Sequence, residues 1–161
     1  MPSSPPSDTG LDERLRLILT SYRRLTGSPL IDEAPEDIVA LRAAVWNAPR
    51  AIVAHGTETD PVFFYGNRLA LRMFGMRFAE FTHLPSRLSA EPLAQAARIE
   101  LLEEVSRRGF IAGYSGVRIA KDGRRFIITD CTVWNLADAA GVHHGQAAVF
   151  CAADEPSSLR P

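Results

Sequence analysis

The sequence has few of the features that would place the protein outside the cell or in a membrane. No apolar run approaches the ~20 residues that are needed to cross a bilayer. The first ten residues lack the basic and apolar regions of a signal peptide. Only two cysteines occur in 161 residues, Cys131 and Cys151, and both fall in predicted strands. These observations predict a cytoplasmic protein without a membrane segment, in which both cysteines are free thiols.

An excess of charge of one sign is also missing. The chain carries 18 basic and 19 acidic residues, for a formal net charge of −1. Nucleic-acid-binding domains usually show a basic excess on one face, so nucleic acid is not an expected partner. The 46% of hydrophobic and 23% of charged residues are ordinary for a soluble globular protein. The length suits one domain, with or without an extension.

No motif of a known chemistry is present. The chain has no Cys/His spacing of the zinc type, no phosphate-binding glycine loop with a lysine, and no Gly-x-Ser-x-Gly sequence. The sequence therefore assigns no catalytic residue and no metal site.

The N-terminal part of the chain predicts a disordered segment and then two helices. Residues 1–10 are rich in Pro and Ser and are predicted to be disordered. Residues 11–47 form a helical extension, with one helix from Leu11, capped by Asp8 or Thr9, and a second from Pro35. Its apolar stripes indicate either a cap on the outer sheet face, a dimer contact or an addition to the core.

A hairpin and a short helix follow. The apolar runs Arg50–His55 and Val62–Tyr65 flank a polar turn, which is typical of two paired strands. After Asn67 the apolar spacing becomes helical, and Asn67 suits an N-cap because its side chain can accept a bond from a free amide. Gly75 permits a sharp end to this helix. Residues 77–84 predict another short turn of helix.

The second half of the chain predicts one long helix and three strands. The helix begins at Pro92, with Ser89 or Glu91 as its cap, and its apolar stripe consists of Leu93, Ala97, Leu101 and Val105. The strands are Phe110–Ala120, Arg125–Asn135 and His144–Ala152, and an Asp-Gly turn joins the first two. In the second strand, alternation places these residues on one face: Phe126, Ile128, Asp130, Thr132 and Trp134. The tail, residues 154–161, is predicted to be disordered.

Together these elements predict an α+β fold. Five strands form one antiparallel sheet, and the helices are inserted after strand 2 and cover one face. The domain in residues 48–153 follows the N-terminal helical extension.

Three stretches of the chain carry a resemblance to a known family: Ala48–Glu91, Gly109–Ile119 and Thr132–Phe150. A hairpin followed by an Asn-capped short helix that ends in Phe-Gly resembles the opening of a PAS domain. The longer strings are more similar to the MEKHLA family, a PAS-like group found in bacteria and at the C-terminus of plant homeodomain leucine-zipper proteins. The resemblance covers the chain from about Leu15 onward. It implies a small-molecule-binding or protein-interaction module.

The resemblance also bears on cofactors. The flavin photoreceptors among PAS domains need a cysteine in an Asn-Cys-Arg-Phe string, and the chain has no such string. The haem-binding PAS domains commonly use a histidine on the long helix, and the segment Leu93–Arg108 contains none. Neither covalent flavin nor haem bound in these ways is expected, and the cofactor stays unknown.

A cavity between the sheet and the short helices is the expected ligand site, because ligand pockets combine apolar walls with a few polar groups. Close packing of the same side chains would instead fill this space completely. The candidate pocket residues are His55, Tyr65, Phe74, Phe78, His83, Arg87, Ser89, Tyr114, Arg118, Asp130 and Trp134.

For two of these candidates, the sequence is compatible with two different roles. Arg87 lies before the long helix, where it either holds a carboxylate ligand or forms a salt bridge with Glu80 or Glu91. His55 lies at the end of the first strand, where it either acts as an acid or base or binds loop carbonyls.

Two functions follow as hypotheses. The first is a stand-alone PAS-like sensory module that binds a small molecule or a partner helix and signals through a homodimer or a partner protein. The alternative is a small enzyme that uses the same cavity for isomerisation or cyclisation, with His55, Arg87, Tyr65 or Asp130 as acid, base or anchor. Whether the protein is an enzyme stays open at this point.

Overall fold

A computed structural model describes residues 4–90 and 92–152 of the chain. The predicted disorder of residues 154–161, and the predicted cap at Glu91, lie outside the described residues, as does the predicted disorder of residues 1–3. The elements, in chain order, are α1 (Thr9–Thr26), α2 (Ile38–Trp46), β1 (Ala51–His55), β2 (Phe63–Gly66), α3 (Arg68–Phe74), α4 (Phe78–Phe81), a 3-10 helix (Ser86–Ser89), α5 (Pro92–Arg108), β3 (Phe110–Ile119), β4 (Arg125–Ala137) and β5 (His143–Ala152).

The strands form one sheet in the order β2-β1-β5-β4-β3, and every neighbouring pair is antiparallel. The helices α3, α4 and α5 lie between β2 and β3 in the chain. This arrangement confirms the predicted α+β fold with a five-stranded antiparallel sheet and helices inserted after strand 2. No helix in the described part of the chain is both long and apolar enough to span a bilayer.

Polar side chains cap the first helices. The carboxylate of Asp8 accepts bonds from the amides of Gly10 and Leu11, at 2.8 and 3.2 Å, so α1 begins at Thr9. The predicted start of the second helix at Pro35 was wrong. Asp37 caps α2 by accepting a bond of 3.0 Å from the amide of Ala40, which sets the first helical residue at Ile38.

Asn67 is buried and joins α2, β1 and α3 through four hydrogen bonds. Its Oδ1 accepts from the amides of Ile52 and Ala70, each at 3.1 Å. Its Nδ2 donates to the carbonyls of Val45, at 3.1 Å, and Arg50, at 2.9 Å. The predicted N-cap is therefore confirmed, and the same side chain also fixes the position of α3 against the sheet.

Helix α1 packs on the outer face of the sheet. The indole nitrogen of Trp134 in β4 donates to the carbonyl of Ile18 at 3.3 Å, and the Trp134 ring meets Tyr22 edge to face at 4.8 Å. The apolar side chains of α1 are buried in the same core as the sheet. The outer-face cap, one of the three predicted roles of the extension, is therefore the arrangement that the structure shows.

The predicted alternation of β4 was wrong after Ile128. Thr129 pairs with Cys151 and Thr132 pairs with Val149, so β4 has one extra residue opposite β5. Asp130 takes a positive φ of 50° at this bulge and is exposed. Because one inserted residue reverses the faces of all later side chains, Cys131 and Val133 point inward with Ile128, whereas Trp134 points outward.

Candidate functional site

A cavity of about 50 Å³ lies between α5 and the inner face of the sheet. All five strands, α3 and the 3-10 helix contribute to its walls. Most of the lining is apolar, and Phe74, Ile128 and Val133 are among its members. Phe74 also contacts two other aromatic rings. Its ring centre lies 5.0 Å from that of Phe126 and 5.4 Å from that of Phe81. The cavity is therefore a partly open gap in an otherwise closely packed layer.

His55 ends β1 and lines this cavity. The residue is 8% exposed, and its Nδ1 lies 3.0 Å from the carbonyl oxygen of Gly56. Because that carbonyl can only accept, Nδ1 carries the proton and Nε2 is the free acceptor of the neutral ring. Burial, and to a smaller extent the charge of Arg98, lower the pKa of His55. Nε2 has no hydrogen-bond partner among the described residues.

Arg98 reaches the cavity from α5. It is 7% exposed and lies on the buried side of the helix, three and seven residues before the buried Leu101 and Val105. Within residues 4–90 and 92–152, no hydrogen bond or ion pair to its guanidinium is found. Burial, and then the neighbouring charge of Arg118, lower its pKa to about 10, so it stays protonated near neutral pH.

Arg118 reaches the same cavity from β3 and is also 7% exposed. Its Nη1 donates to its neighbour, the carbonyl of Val117, at 2.8 Å. Its guanidinium lies 5.7 Å from the centre of the Tyr114 ring, and this cation–π contact stabilises the positive charge of Arg118. Tyr114 itself is half-buried and does not line the cavity.

Two further buried polar side chains, Ser89 and Gln146, line the cavity and form hydrogen bonds to protein groups. Ser89 donates to the carbonyl of Ser86 at 2.7 Å. The amide nitrogen of Gln146 donates to the carbonyl of Leu102, at 3.2 Å, and to Asn135 Oδ1, at 3.1 Å. The Ser89 bond lies within the 3-10 helix, whereas the Gln146 bonds connect β5 to α5 and to β4 at the cavity wall.

The thiol of Cys131 is part of the inner wall. Burial raises its pKa to about 12, so the thiol is protonated and unreactive at neutral pH. Cys131 and Cys151 are both free thiols. They are not opposite each other, because Cys151 pairs with Thr129 and the bulge at Asp130 lies between them.

The structure brings four of the eleven predicted pocket residues to the cavity: His55, Phe74, Ser89 and Arg118. Two others are fully buried but lie on the outer side of the sheet. Trp134 packs on α1, and Tyr65 lies edge to face with Phe78 at 6.0 Å. Burial raises the pKa of Tyr65, and its hydroxyl has no partner among the described residues. Phe78 is half-buried in α4 and also meets the ring of Trp46.

The other three predicted residues are exposed and outside the cavity. His83 Nδ1 lies 2.7 Å from the carbonyl of Ala79. Arg87 forms an ion pair with Asp60 at 3.1 Å, in which both side chains are 50% exposed. Asp130 is at the β4 bulge. The predicted salt bridge of Arg87 with Glu80 was wrong, because Glu80 pairs with Arg77 and Lys121.

Sequence reasoning missed Arg98 and Gln146. The signal for Arg98 was present, because its spacing to Leu101 and Val105 places an arginine on the apolar side of α5. The predicted stripe used Ala97 instead, which is exposed. No sequence signal distinguishes Gln146 from an ordinary strand residue. The described residues also contain no group of His, Cys, Asp and Glu side chains that could hold a metal ion.

Comparison with known proteins gives a family and a fold. The MEKHLA domain family matches residues 12–154 of the chain. No relative with a curated description matches the chain at a significant level of similarity.

Several solved structures share this fold at low sequence identity. A light-oxygen-voltage domain, from a study of its mechanism with a flavin analogue, has a TM-score of 0.60 at 20% identity, over 74% of this chain and 88% of that one. A PAS domain of a protein from Colwellia psychrerythraea has a TM-score of 0.60 at 17% identity, and the match covers 72% of this chain and 97% of that domain. The light-state dimer of the fungal blue-light photoreceptor Vivid has a TM-score of 0.59 at 16% identity, and the match covers 94% of this chain and 99% of the Vivid chain.

Proposed function

Because the chain belongs to the MEKHLA domain family and has a PAS-like fold, we propose that it is a sensory module that binds a small, mostly apolar molecule. The ligand occupies the cavity between α5 and the inner face of the sheet. A cytoplasmic location, predicted from the sequence, is part of this proposal.

One observation carries the proposal: polar side chains from separate elements converge on a mostly apolar cavity. His55 comes from β1, Arg98 from α5 and Arg118 from β3, and each is at least nine-tenths buried. In a closely packed core such groups would lower the stability of the fold, because burying a polar atom without a partner costs free energy. A ligand that bonds to them would recover this cost. Apolar walls with a few placed polar groups are typical of small-molecule sites.

We also propose that the signal leaves the domain through association with a second copy of the chain. Large apolar side chains remain exposed at Val39, Ile99 and Val142, at 53–63% of their surface. The apolar side of α1 is already buried on the sheet, so it is not free for a partner. Light scattering of the purified protein with and without ligand tests this step, because association with a second copy changes the molar mass. If the signal passes to a different protein instead, the molar mass of the purified protein stays unchanged.

The enzyme alternative needs several acid, base or anchor groups in one place. Of the four residues that it invoked, only His55 lines the cavity. Tyr65 lies on the outer side of the sheet, whereas Arg87 and Asp130 are exposed elsewhere. The geometry therefore favours binding over catalysis.

The experiment compares ligand binding in the full chain and in a variant with a filled cavity. Ala148 lines the cavity and remains partly exposed there, so Ala148→Leu places three extra carbon atoms in the open space. Ala96→Leu is the matched control, because Ala96 is exposed on α5. Native mass spectrometry and thermal-shift screening with a metabolite panel should show a ligand in the wild type and in Ala96→Leu but not in Ala148→Leu. If no compound binds the wild type below ~1 mM, the proposal is rejected.

A further inference from the structure

The cavity contains two buried arginines and, among the described residues that line it, no aspartate or glutamate. Arg98 and Arg118 come from different elements, and each is 7% exposed. A buried charge is normally paired, because removing it from water costs several kcal/mol that only an opposite charge or several hydrogen bonds can offset. Two positive charges in one cavity also repel each other, and burial first, then the charge of Arg118, lower the pKa of Arg98.

Few donors of these two side chains have a hydrogen-bond partner among the described residues. An arginine has five N–H donors in a planar fork. Arg118 uses one of them on the carbonyl of Val117 and lies beside the Tyr114 ring. For Arg98, the part of the chain that the structure describes supplies no hydrogen-bond partner and no counter-ion. Some arginines outside the cavity do form ion pairs: Arg42 with Asp12, Arg87 with Asp60 and Arg108 with Glu104.

We infer that the cavity binds a small monocarboxylate, whose carboxylate group lies between Arg98 and Arg118. This inference rests on the proposed function and names the chemical class of its ligand. The planar guanidinium fork matches the two oxygens of a carboxylate, and each pair of such bonds is charge-assisted. The ligand supplies the negative charge that the described lining residues do not provide.

The size and the walls of the cavity define the rest of the ligand. A volume of about 50 Å³ admits a group of only a few heavy atoms without movement of the walls. Phe74, Ile128 and Val133 offer an apolar surface to a short alkyl chain. A phosphate has more oxygens and more charge, and these walls would leave part of it unbonded. A short-chain carboxylate such as butyrate therefore fits better than inorganic phosphate.

Titration calorimetry of the full chain with butyrate tests the inference, with butyramide as a neutral ligand of the same shape. Butyrate should bind at least ~10-fold more tightly than butyramide, because the extra free energy of charge-assisted over neutral hydrogen bonds corresponds to about this ratio of affinities. Equal affinities, or tighter binding of inorganic phosphate than of butyrate, would overturn the inference.

Substitutions identify the arginine that is responsible. Arg98→Met removes the charge and keeps most of the volume, so it should weaken butyrate by at least ~10-fold while the melting temperature stays equal or rises. A merely structural Arg98 would instead lower the melting temperature when it is replaced. Arg98→Lys keeps the charge without the fork and should give a smaller loss of affinity. Arg87→Met is the matched control, because Arg87 is exposed and outside the cavity. If Arg87→Met weakens butyrate and Arg98→Met does not, the carboxylate site is at Arg87.

The two proposals fail in different ways. If a neutral molecule binds, and Ala148→Leu abolishes its binding, the cavity is a ligand site and only the carboxylate assignment is wrong. If butyrate binds equally well to Ala148→Leu, the cavity is not the site, and both proposals are wrong.

Discussion

Gly145 in β5 lies directly against the backbone of His55 in β1. A β-carbon on Gly145 would stand 2.0 Å from the carbonyl oxygen of His55, far closer than two such atoms can approach. The φ of Gly145 is 131°, which side chains rarely adopt. Only glycine allows β1 and β5 to pair at this point, and the pairing places His55 and Gln146 side by side in the cavity wall.

Replacing Gly145 should therefore separate these strands. We expect Gly145→Ala to lower the free energy of unfolding by at least ~3 kcal/mol, because strain and a backbone clash add together. Gly141→Ala is the control: it has a φ of 83° and no heavy atom within 4 Å of its β-carbon, so only the strain of ~1 kcal/mol applies. Urea unfolding measures both values, and equal losses in the two variants would contradict the clash.

Asn67 should be among the residues whose replacement costs most. Asn67→Asp keeps the two accepted bonds but cannot donate to the carbonyls of Val45 and Arg50, and it buries a charge. We expect a loss of about 2–4 kcal/mol in the free energy of unfolding at pH 7.

The control for Asn67 is the same change at Asn47. Asn47 is exposed and donates only to the carbonyl of Ala43, so Asn47→Asp should cost less than ~1 kcal/mol. Similar losses for the two variants would show that the buried bonds of Asn67 are not what holds α3 on the sheet.

His55 should make stability fall as the pH is lowered below about 6.5, its ordinary pKa. Burial lowers the pKa of His55 in the folded protein, and Arg98, Glu58 and His143 are the charged or titratable groups that also influence it. Between the folded and the unfolded pKa, the unfolded chain holds one more proton. Lowering the pH therefore favours unfolding, by up to ~1.4 kcal/mol per pH unit.

His55→Gln removes this contribution. Chemical unfolding between about pH 7.5 and pH 5 should show a shallower decline in stability for His55→Gln than for the wild type. His83→Gln, the same change at an exposed histidine outside the cavity, is the matched control. An unchanged slope in His55→Gln would mean that the ring accepts a proton as readily in the folded protein as in the unfolded one.

Trp134 should control the attachment of α1 to the sheet. Trp134→Phe removes the bond to the carbonyl of Ile18 and the edge contact with Tyr22, so we expect a loss of about 1–3 kcal/mol. Hydrogen exchange in α1 should become faster. Trp46→Phe loses no hydrogen bond within the described part of the chain and should leave exchange in α1 unchanged. Equal exchange in the two variants would assign the docking of α1 to other contacts.

Much of the fold follows from local signals. Asp8 and Asn67 mark helix starts because their side chains accept hydrogen bonds from free backbone amides. Gly75 marks a helix end because a residue without a side chain adopts the left-handed backbone conformation there. The five strands follow from apolar runs and turn residues in the same way. Each of these signals acts within about five residues, so it can be read without knowledge of what lies elsewhere in the chain.

The residues that line the cavity could not be predicted from local signals alone. One extra residue at Asp130 reverses the faces of β4, which turns Cys131 and Val133 toward the cavity and Trp134 away from it. No local pattern marks that bulge, because it depends on the register with β5. The sequence by itself determined the order of the strands and helices, since capping and periodicity are local. Only the tertiary structure decided that Arg98 and Arg118 share one cavity whose described lining residues include no aspartate or glutamate, because burial and counter-charge depend on residues brought together from distant parts of the chain.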